Sequence, residues 1–135
     1  MLTEKEQEIV EEFSLFDDPM DKYEHIISLG KELAPLDEKY KVDELLVKGC
    51  QSKVWLRAYE KEGKIYFEAD SNTVITKGII AMLIHVLSGL SPQDLISHQL
   101  NFIQEIKLHE HLSSQRSNGL SSMIAYMKGY AEQYA

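Results

Sequence analysis

The sequence predicts an α+β fold, in which a small antiparallel three-stranded sheet packs against helices. Helical periodicity of apolar residues extends to Leu33, β-branched and aromatic residues cluster from Leu45 to Ala69, and helical periodicity returns from Val74. The chain has 135 residues, enough to bury a core without disulfides or a structural metal. We therefore expect residues 1–135 to form one domain.

Two helices are predicted before the sheet. Thr3 and Glu6 have capping-box spacing, and apolar residues follow at helical intervals as far as a helix end near Asp17. The pair Asp18–Pro19 supplies an N-cap and a first-turn proline, which together begin a second helix. That helix must stop before Pro35, since the residue ahead of a proline avoids the helical conformation.

Three short strands are predicted from runs of β-branched and aromatic residues, at Leu45–Val47, Val54–Tyr59 and Ile65–Ala69. Residues 60–63 connect the last two strands as a hairpin. Cys50 therefore falls in the turn between the first and second strands.

Further helices are predicted after the sheet. Val74–Leu87 is apolar almost all round, which is typical of a helix buried in a core. Ser91–Asp94 supplies a capping serine and a first-turn proline for a short helix. A weaker segment runs through Phe102–Ile106, and a long C-terminal helix begins near Arg116.

Charge and apolar patterning exclude several classes of function. The net charge of −8 argues against binding to nucleic acid, because that affinity comes largely from Lys and Arg neutralising phosphates. No apolar run is long enough to span a bilayer, and the polar start Met1–Glu6 does not resemble a secretory signal. We therefore expect a cytoplasmic protein that binds no membrane and no nucleic acid, and whose partner is a protein with a basic surface.

Cys50 is the only cysteine, and it lies in a small polar stretch between two apolar runs. A lone thiol cannot form an internal disulfide, and a structural zinc site needs four ligands. The thiol is therefore either reactive or a small buried hydrophobe. Its neighbours favour reactivity, since Gly49 permits unusual backbone angles and Gln51–Ser52 offers polar groups. Lys48 and Lys53 are expected to favour the thiolate over the thiol.

Two histidines, His109 and His111, flank Glu110 and invite interpretation as a metal site. Ligands on one face of a helix need intervals of three or four residues, so this spacing is wrong. We predict no metal site.

The segment Gly49-Cys50-Gln51-Ser52-Lys53-Val54-Trp55 resembles the GCQSxVW signature of the SufE family of sulfur acceptor proteins. The resemblance covers nearly the whole chain and extends to the closely similar CsdE branch. Asn118 departs from the family pattern, because many members carry Gln there. Further segments resemble family motifs in the expected order, namely Asp21–Gly30, Asp70–Ser71, Lys77–Ala81, Ser91–Asp94 and His111–Leu120.

The resemblance implies a persulfide carrier with Cys50 as the sulfur acceptor. A cysteine desulfurase of the SufS or CsdA type, which carries pyridoxal phosphate (PLP), takes sulfur from free cysteine and passes it to a SufE-type protein. The carrier stimulates the desulfurase and hands the sulfur to a SufBCD-like scaffold that builds iron–sulfur clusters. The PLP belongs to the desulfurase, so the carrier itself needs no cofactor. A monomer and a homodimer are both compatible with this role.

Roles for other residues also follow from the resemblance. Gly49, Gln51 and Ser52 are expected to support the cysteine loop, and Asp70 matches a family position that supports the resting loop. Arg116 matches a partner-interface position, where its donor fork can grip a carboxylate or backbone carbonyls of the desulfurase. Its alternative role is a cap or ion pair beside the last helix. His111 is a further candidate for partner binding.

Two other classes of function compete with the carrier. A cysteine-dependent hydrolase or peroxidase would use Cys50 with a histidine base, but no local signature pairs a histidine with this cysteine. An iron–sulfur scaffold needs several soft ligands, and one cysteine is too few.

Overall fold

The computed structural model describes residues 2–135. Along the chain, helices precede and follow a β-hairpin, which confirms the predicted α+β class. Short 3₁₀ turns precede the hairpin and the last helix. The elements in chain order are α1 Glu4–Phe13, α2 Pro19–Lys31, β1 Val54–Lys61, β2 Lys64–Ser71, α3 Val74–Leu87, α4 Pro92–Ser97, α5 Phe102–Glu105 and α6 Ser114–Tyr134.

Caps set the starts of the helices much as the sequence predicts. Thr3 and Glu6 form the reciprocal capping box of α1, and Asp18 caps α2 ahead of Pro19. Helix α1 is shorter than predicted, because it ends at Phe13 rather than near Asp17. Helix α6 starts two residues earlier than predicted, with Ser113 as its N-cap.

The sheet has two strands rather than the predicted three. Strands β1 and β2 pair antiparallel from Val54↔Ser71 to Lys61↔Lys64. The turn between them is only Glu62–Gly63, and both residues have positive φ, as the tightest hairpin turns require.

The predicted first strand, Leu45–Val47, is the part that differs. Leu45 closes a 3₁₀ turn, Leu46 makes one isolated bridge to Trp55, and the Val47 amide donates to Val54 O at 2.8 Å. The amides of Leu45 and Leu46 donate within their own turn. Because two of its three amides are used in the turn, the segment makes only this one bridge to β1.

Helix α3 is the centre of the core. It packs against α2 and β2, and nine of its residues are buried, with Ile80 and Leu83 completely so. Helices α2 and α3 pack so closely that a Cβ on Gly78 would lie 2.0 Å from Ile26 O. This contact fixes the N-terminal half of α3, which the cysteine loop faces. No helix within residues 2–135 is both long and apolar enough to cross a bilayer.

Candidate functional site

The Cys50 side chain lies in a small cavity between its own loop, α3 and α6. The cavity holds only about 10 Å³, which is room for about one water molecule. Its lining residues are Cys50, Gln51, Ser52, Thr76, Ile79, Gln115, Arg116, Gly119 and Met123. The structure therefore brings together Cys50 and three predicted site residues: Gln51, Ser52 and Arg116.

The environment of Cys50 favours the neutral thiol. Burial raises the pKa of the Cys50 thiol, and its Sγ donates to the carbonyl oxygen of Gly119 at 3.5 Å. The expectation that Lys48 and Lys53 favour the thiolate is wrong at rest, because both residues are exposed and burial of the sulfur dominates. A protonated thiol is a poor nucleophile, so the resting site is chemically quiet.

The backbone conformation of Gly49 directs the Cys50 side chain into the cavity. Its φ is +93°, a conformation that L side chains rarely adopt, and a Cβ there would lie 2.4 Å from Ser122 Oγ on α6. On the other side of the cysteine, Gly119 lies beside the thiol, and a Cβ there would be in ordinary van der Waals contact with Cys50 Sγ, at 3.4 Å. The loop therefore lies against the N-terminal half of α6.

Hydrogen bonds attach both ends of the loop to the rest of the molecule. Before the cysteine, the Lys48 amide donates to Tyr126 Oη at 3.1 Å. After it, the Lys53 amide donates to Asn72 Oδ1 at 3.0 Å, and Ser71 Oγ donates to Lys53 O at 2.8 Å. Each of these bonds lies near the surface and can exchange for water.

Ser52 is held by two threonines at the start of α3. Its hydroxyl accepts from Thr73 Oγ1 at 2.9 Å and from Thr76 Oγ1 at 3.4 Å. Thr73 is the N-cap residue of α3, yet its side chain makes no capping hydrogen bond. The residue that normally caps the helix is therefore used to hold the loop.

Asp70 does not line the cavity. Its carboxylate lies 3.1 Å from Lys41 Nζ and 3.3 Å from Lys77 Nζ, and accepts from the Ser71 amide at 2.8 Å. Desolvation alone would raise the pKa of Asp70, but hydrogen bonds from Lys41, Ser71 and Lys77 outweigh it and lower the pKa. Asp70 therefore fixes the end of β2, directly before Ser71, which binds the loop. Its support of the resting loop stays a prediction.

Arg116 lies in the first turn of α6, and His111 lies shortly before that helix. The Arg116 guanidinium donates to Tyr23 Oη at 3.4 Å, and its backbone amide donates to the Ser113 cap. Burial, and then the nearby Lys22, lowers the pKa of His111, although Glu110 opposes the shift. His111 is therefore neutral near pH 7, and Arg116 is the cation beside the cysteine cavity. Their binding roles stay predictions.

The histidines lie away from the thiol. His109 Nδ1 lies 3.1 Å from Ser117 Oγ, and no histidine lines the described cavity around Cys50. Among residues 2–135, no group of three or more His, Cys, Asp or Glu side chains is placed to hold a metal ion.

Comparison with known proteins identifies the family. A family model described as "SufE: Fe-S metabolism associated domain" matches residues 7–131. The chain belongs to the SufE family. This confirms the resemblance found in the sequence and associates the chain with iron–sulfur metabolism.

The relatives support the same assignment. The chain is 40% identical over 128 residues to SufE-like protein 1, chloroplastic/mitochondrial, of Arabidopsis thaliana, covering 94% of this chain and 34% of that protein. It is 34% identical over 120 residues to an uncharacterized SufE-like protein of Synechocystis, covering 89% of this chain and 76% of that protein. The chain thus spans about a third of the length of the Arabidopsis protein.

A solved structure shares the fold. The solution structure of a hypothetical protein from Thermus thermophilus matches with a TM-score of 0.79 at 17% identity, over 98% of this chain and 97% of that one. At this identity the match shows the fold alone.

Proposed function

We propose that the chain accepts persulfide sulfur on Cys50 from a PLP-dependent cysteine desulfurase of the SufS type. The bound sulfur then passes to a SufBCD-like scaffold for iron–sulfur cluster assembly. The observation that carries the proposal is the resting state of Cys50: a protonated, half-buried thiol on a loop that a few side-chain hydrogen bonds attach to the body of the protein.

Outward movement of the loop activates the thiol. Leaving the cavity removes the burial that raises the pKa of Cys50 and separates the sulfur from the Gly119 carbonyl. Solvation then increases the thiolate fraction, which is the nucleophilic form. The thiol is therefore protected from oxidants at rest and becomes reactive where it meets the desulfurase.

The transfer step balances without an oxidant or reductant. The Cys50 thiolate attacks the terminal sulfur of the desulfurase persulfide, and a new S–S bond forms on Cys50. The bond between that sulfur and the desulfurase cysteine breaks, and its electron pair stays on the desulfurase thiolate. The proton lost by Cys50 on ionisation goes to solvent.

The rival hydrolase or peroxidase has weaker support. A hydrolase needs a base oriented beside the thiol, and the described lining of the Cys50 cavity contains no histidine. A cavity of about 10 Å³ also leaves no room for a substrate while the loop is at rest.

Intact mass spectrometry tests the proposal. Incubation with a SufS-type desulfurase, its PLP and cysteine should add the mass of whole sulfur atoms to the chain, and reductant should remove it. Cys50→Ser should take no sulfur and should not accelerate cysteine turnover, since a serine hydroxyl stays protonated at neutral pH. A serine variant that stimulates the desulfurase as well as the parent would make the protein an activator rather than a carrier.

Arg116 provides a second test, of the docking surface. Arg116→Ala should weaken binding to the desulfurase in titration calorimetry, because a charged donor fork beside the cavity is lost. Tyr23→Phe is the matched control, since it removes only the internal hydrogen bond of Arg116. Equal affinity in parent and Arg116→Ala would restrict Arg116 to packing beside α6.

A further inference from the structure

A second surface of the molecule has features that the sulfur-acceptor role does not use. A groove of about 770 Å³ lies between α1 and the C-terminal end of α2, over the C-terminal half of α3. Small side chains at Ala34 and Ala81 leave the space open, and partly buried Leu29, Leu33 and Ile84 supply apolar surface.

Leu15 is the most exposed large apolar side chain of this groove. It is 80% exposed, the highest value among the large hydrophobic residues that the structure describes as exposed. It lies two residues after the end of α1 and outside the core. An apolar side chain of this size beside an apolar groove marks a contact surface for another molecule.

The rim of the groove is acidic. Its glutamates are Glu8, Glu11, Glu12 and Glu32. Within residues 2–135, no lysine or arginine pairs with these carboxylates; Glu8 contacts His85 at 2.7 Å, and Glu12 lies 4.0 Å from His25. No lysine or arginine lines the described groove. The surface therefore attracts a cationic partner and repels an acidic one.

Two of the rim glutamates destabilise the helix that carries them. Glu11 and Glu12 lie in the last turn of α1, which contains no basic residue. Negative charges at a helix C-terminus oppose the helix dipole. The two residues thus weaken the helix that presents them, while they complete the acidic rim.

The groove and Cys50 lie on different sides of α3. Thr76 and Ile79 face the cysteine cavity, whereas Ala81 and His85 line the groove. At 100° per residue these two pairs point in nearly opposite directions around the helix. A molecule bound in the groove therefore leaves the Cys50 loop accessible.

We propose that this groove binds a basic amphipathic helix of a partner protein, with the partner's apolar face on Leu15, Leu29 and Leu33 and its lysines or arginines on the glutamate rim. This is the helix-in-groove mode of recognition, with charge selecting the partner. The proposal is independent of sulfur transfer and holds whether or not Cys50 carries sulfur.

A synthetic peptide of about 14 residues, or roughly four helical turns, provides the probe. It carries leucines at helical intervals on one face and lysines beside them. A second peptide of the same composition has its order scrambled, so that it has no apolar face. Fluorescence anisotropy measures affinity, and NMR shift mapping on the full chain locates the site. The ordered peptide should bind in the groove, and the scrambled peptide should bind at least about tenfold more weakly.

Matched variants separate specific docking from general charge attraction. The double variant Glu11→Gln/Glu12→Gln should bind the ordered peptide about tenfold more weakly, yet melt no lower than the parent, because it relieves the helix dipole. Glu60→Gln/Glu62→Gln, at the exposed hairpin tip, changes net charge equally and should bind like the parent. Leu15→Ser should also bind more weakly. Equal weakening by both double variants, or shifts that map away from the groove, would overturn the proposal.

Two further measurements complete the test. Alkylation of Cys50 should proceed at the same rate with saturating peptide, and a blocked thiol would contradict the separate position of the groove. Sedimentation velocity checks the other possible occupant. A dimer that Leu15→Ser dissociates would show that a second copy of the chain covers the groove, and would overturn the proposal.

Discussion

The contact between α2 and α3 and the loop around Cys50 are built by opposite means. The two helices meet through backbone: a Cβ on Gly30 would lie 2.7 Å from the Gly78 amide nitrogen, and the space beside Gly78 is equally closed. The loop is attached to the body by side-chain hydrogen bonds, through Tyr126 on one side and Asn72 on the other. Close backbone packing cannot yield gradually, whereas surface hydrogen bonds exchange with water. The contact between α2 and α3 is therefore fixed, whereas the attachments of the Cys50 loop can be exchanged for water.

The largest effect is expected from closing the helix contact. Gly78→Ala places a Cβ 2.0 Å from Ile26 O, so the helices must separate, and we expect a loss of about 3 kcal/mol or more in the free energy of unfolding. Urea unfolding measures it. Gly129→Ala is the control, because nothing lies within 4 Å of its Cβ in α6, and it should stabilise by about 0.5–1 kcal/mol. Equal midpoints for Gly78→Ala and the parent would show that the contact yields.

Gly49→Ala should have an intermediate effect, with its main consequence at the thiol. The positive φ and the approach of Ser122 should cost about 1–3 kcal/mol and displace the loop, so that Cys50 is alkylated faster. Gly63→Ala has a similar positive φ with nothing within 4 Å. It should lose stability without changing the alkylation rate. An alkylation rate unchanged in Gly49→Ala would remove its role in turning Cys50 inward.

Tyr126→Phe tests one loop attachment alone. It removes the acceptor of the Lys48 amide, at a cost of about 0.5–1.5 kcal/mol, and alkylation of Cys50 should accelerate. Tyr130→Phe removes a comparable bond, to Leu56 O at 3.0 Å, and should leave alkylation unchanged. If both variants alkylate at the same rate, the Tyr126 bond does not restrain the loop.

The smallest effect is expected from Asp70, and it depends on pH. Its folded-state pKa is lowered, so its contribution to stability is present above the unfolded pKa and is lost as pH falls through the folded value. Parent and Asp70→Asn should therefore differ in thermal midpoint near pH 7 and converge in acid. A constant difference across this range would assign the effect to packing. Faster alkylation of Cys50 in Asp70→Asn would support the predicted role of Asp70 in the resting loop.

Local signals in the sequence were sufficient for most of the fold. The capping box at Thr3 and the apolar run Val74–Leu87 predicted their helices, because caps and periodicity act over a few residues. The prediction of the first of three strands was wrong, because Leu45–Val47 has strand composition but only one bridging residue.

The candidate site was predictable only in part. Residues 50–52 and Arg116 line the same cavity. Sequence analysis predicted all four as site residues. The attachment through Tyr126 joins residues 78 positions apart, and no local pattern reports such a contact. The protonated state of Cys50 was missed for a similar reason, since burial is a property of the fold, whereas the lysines beside it are visible in the sequence.

The hydroxyl of Thr73 links the loop to the start of α3. At rest it donates to Ser52, and the helix begins without a side-chain cap. If the loop leaves as the proposed function requires, we expect Thr73 to rotate about χ1 so that its oxygen accepts an amide hydrogen of the first turn, an interaction worth about 0.5–2 kcal/mol. One hydrogen bond thus replaces another, and opening costs less than the severed bonds alone would require. Exposure of the Cys50 sulfur is thus coupled to the formation of a side-chain cap at the start of α3.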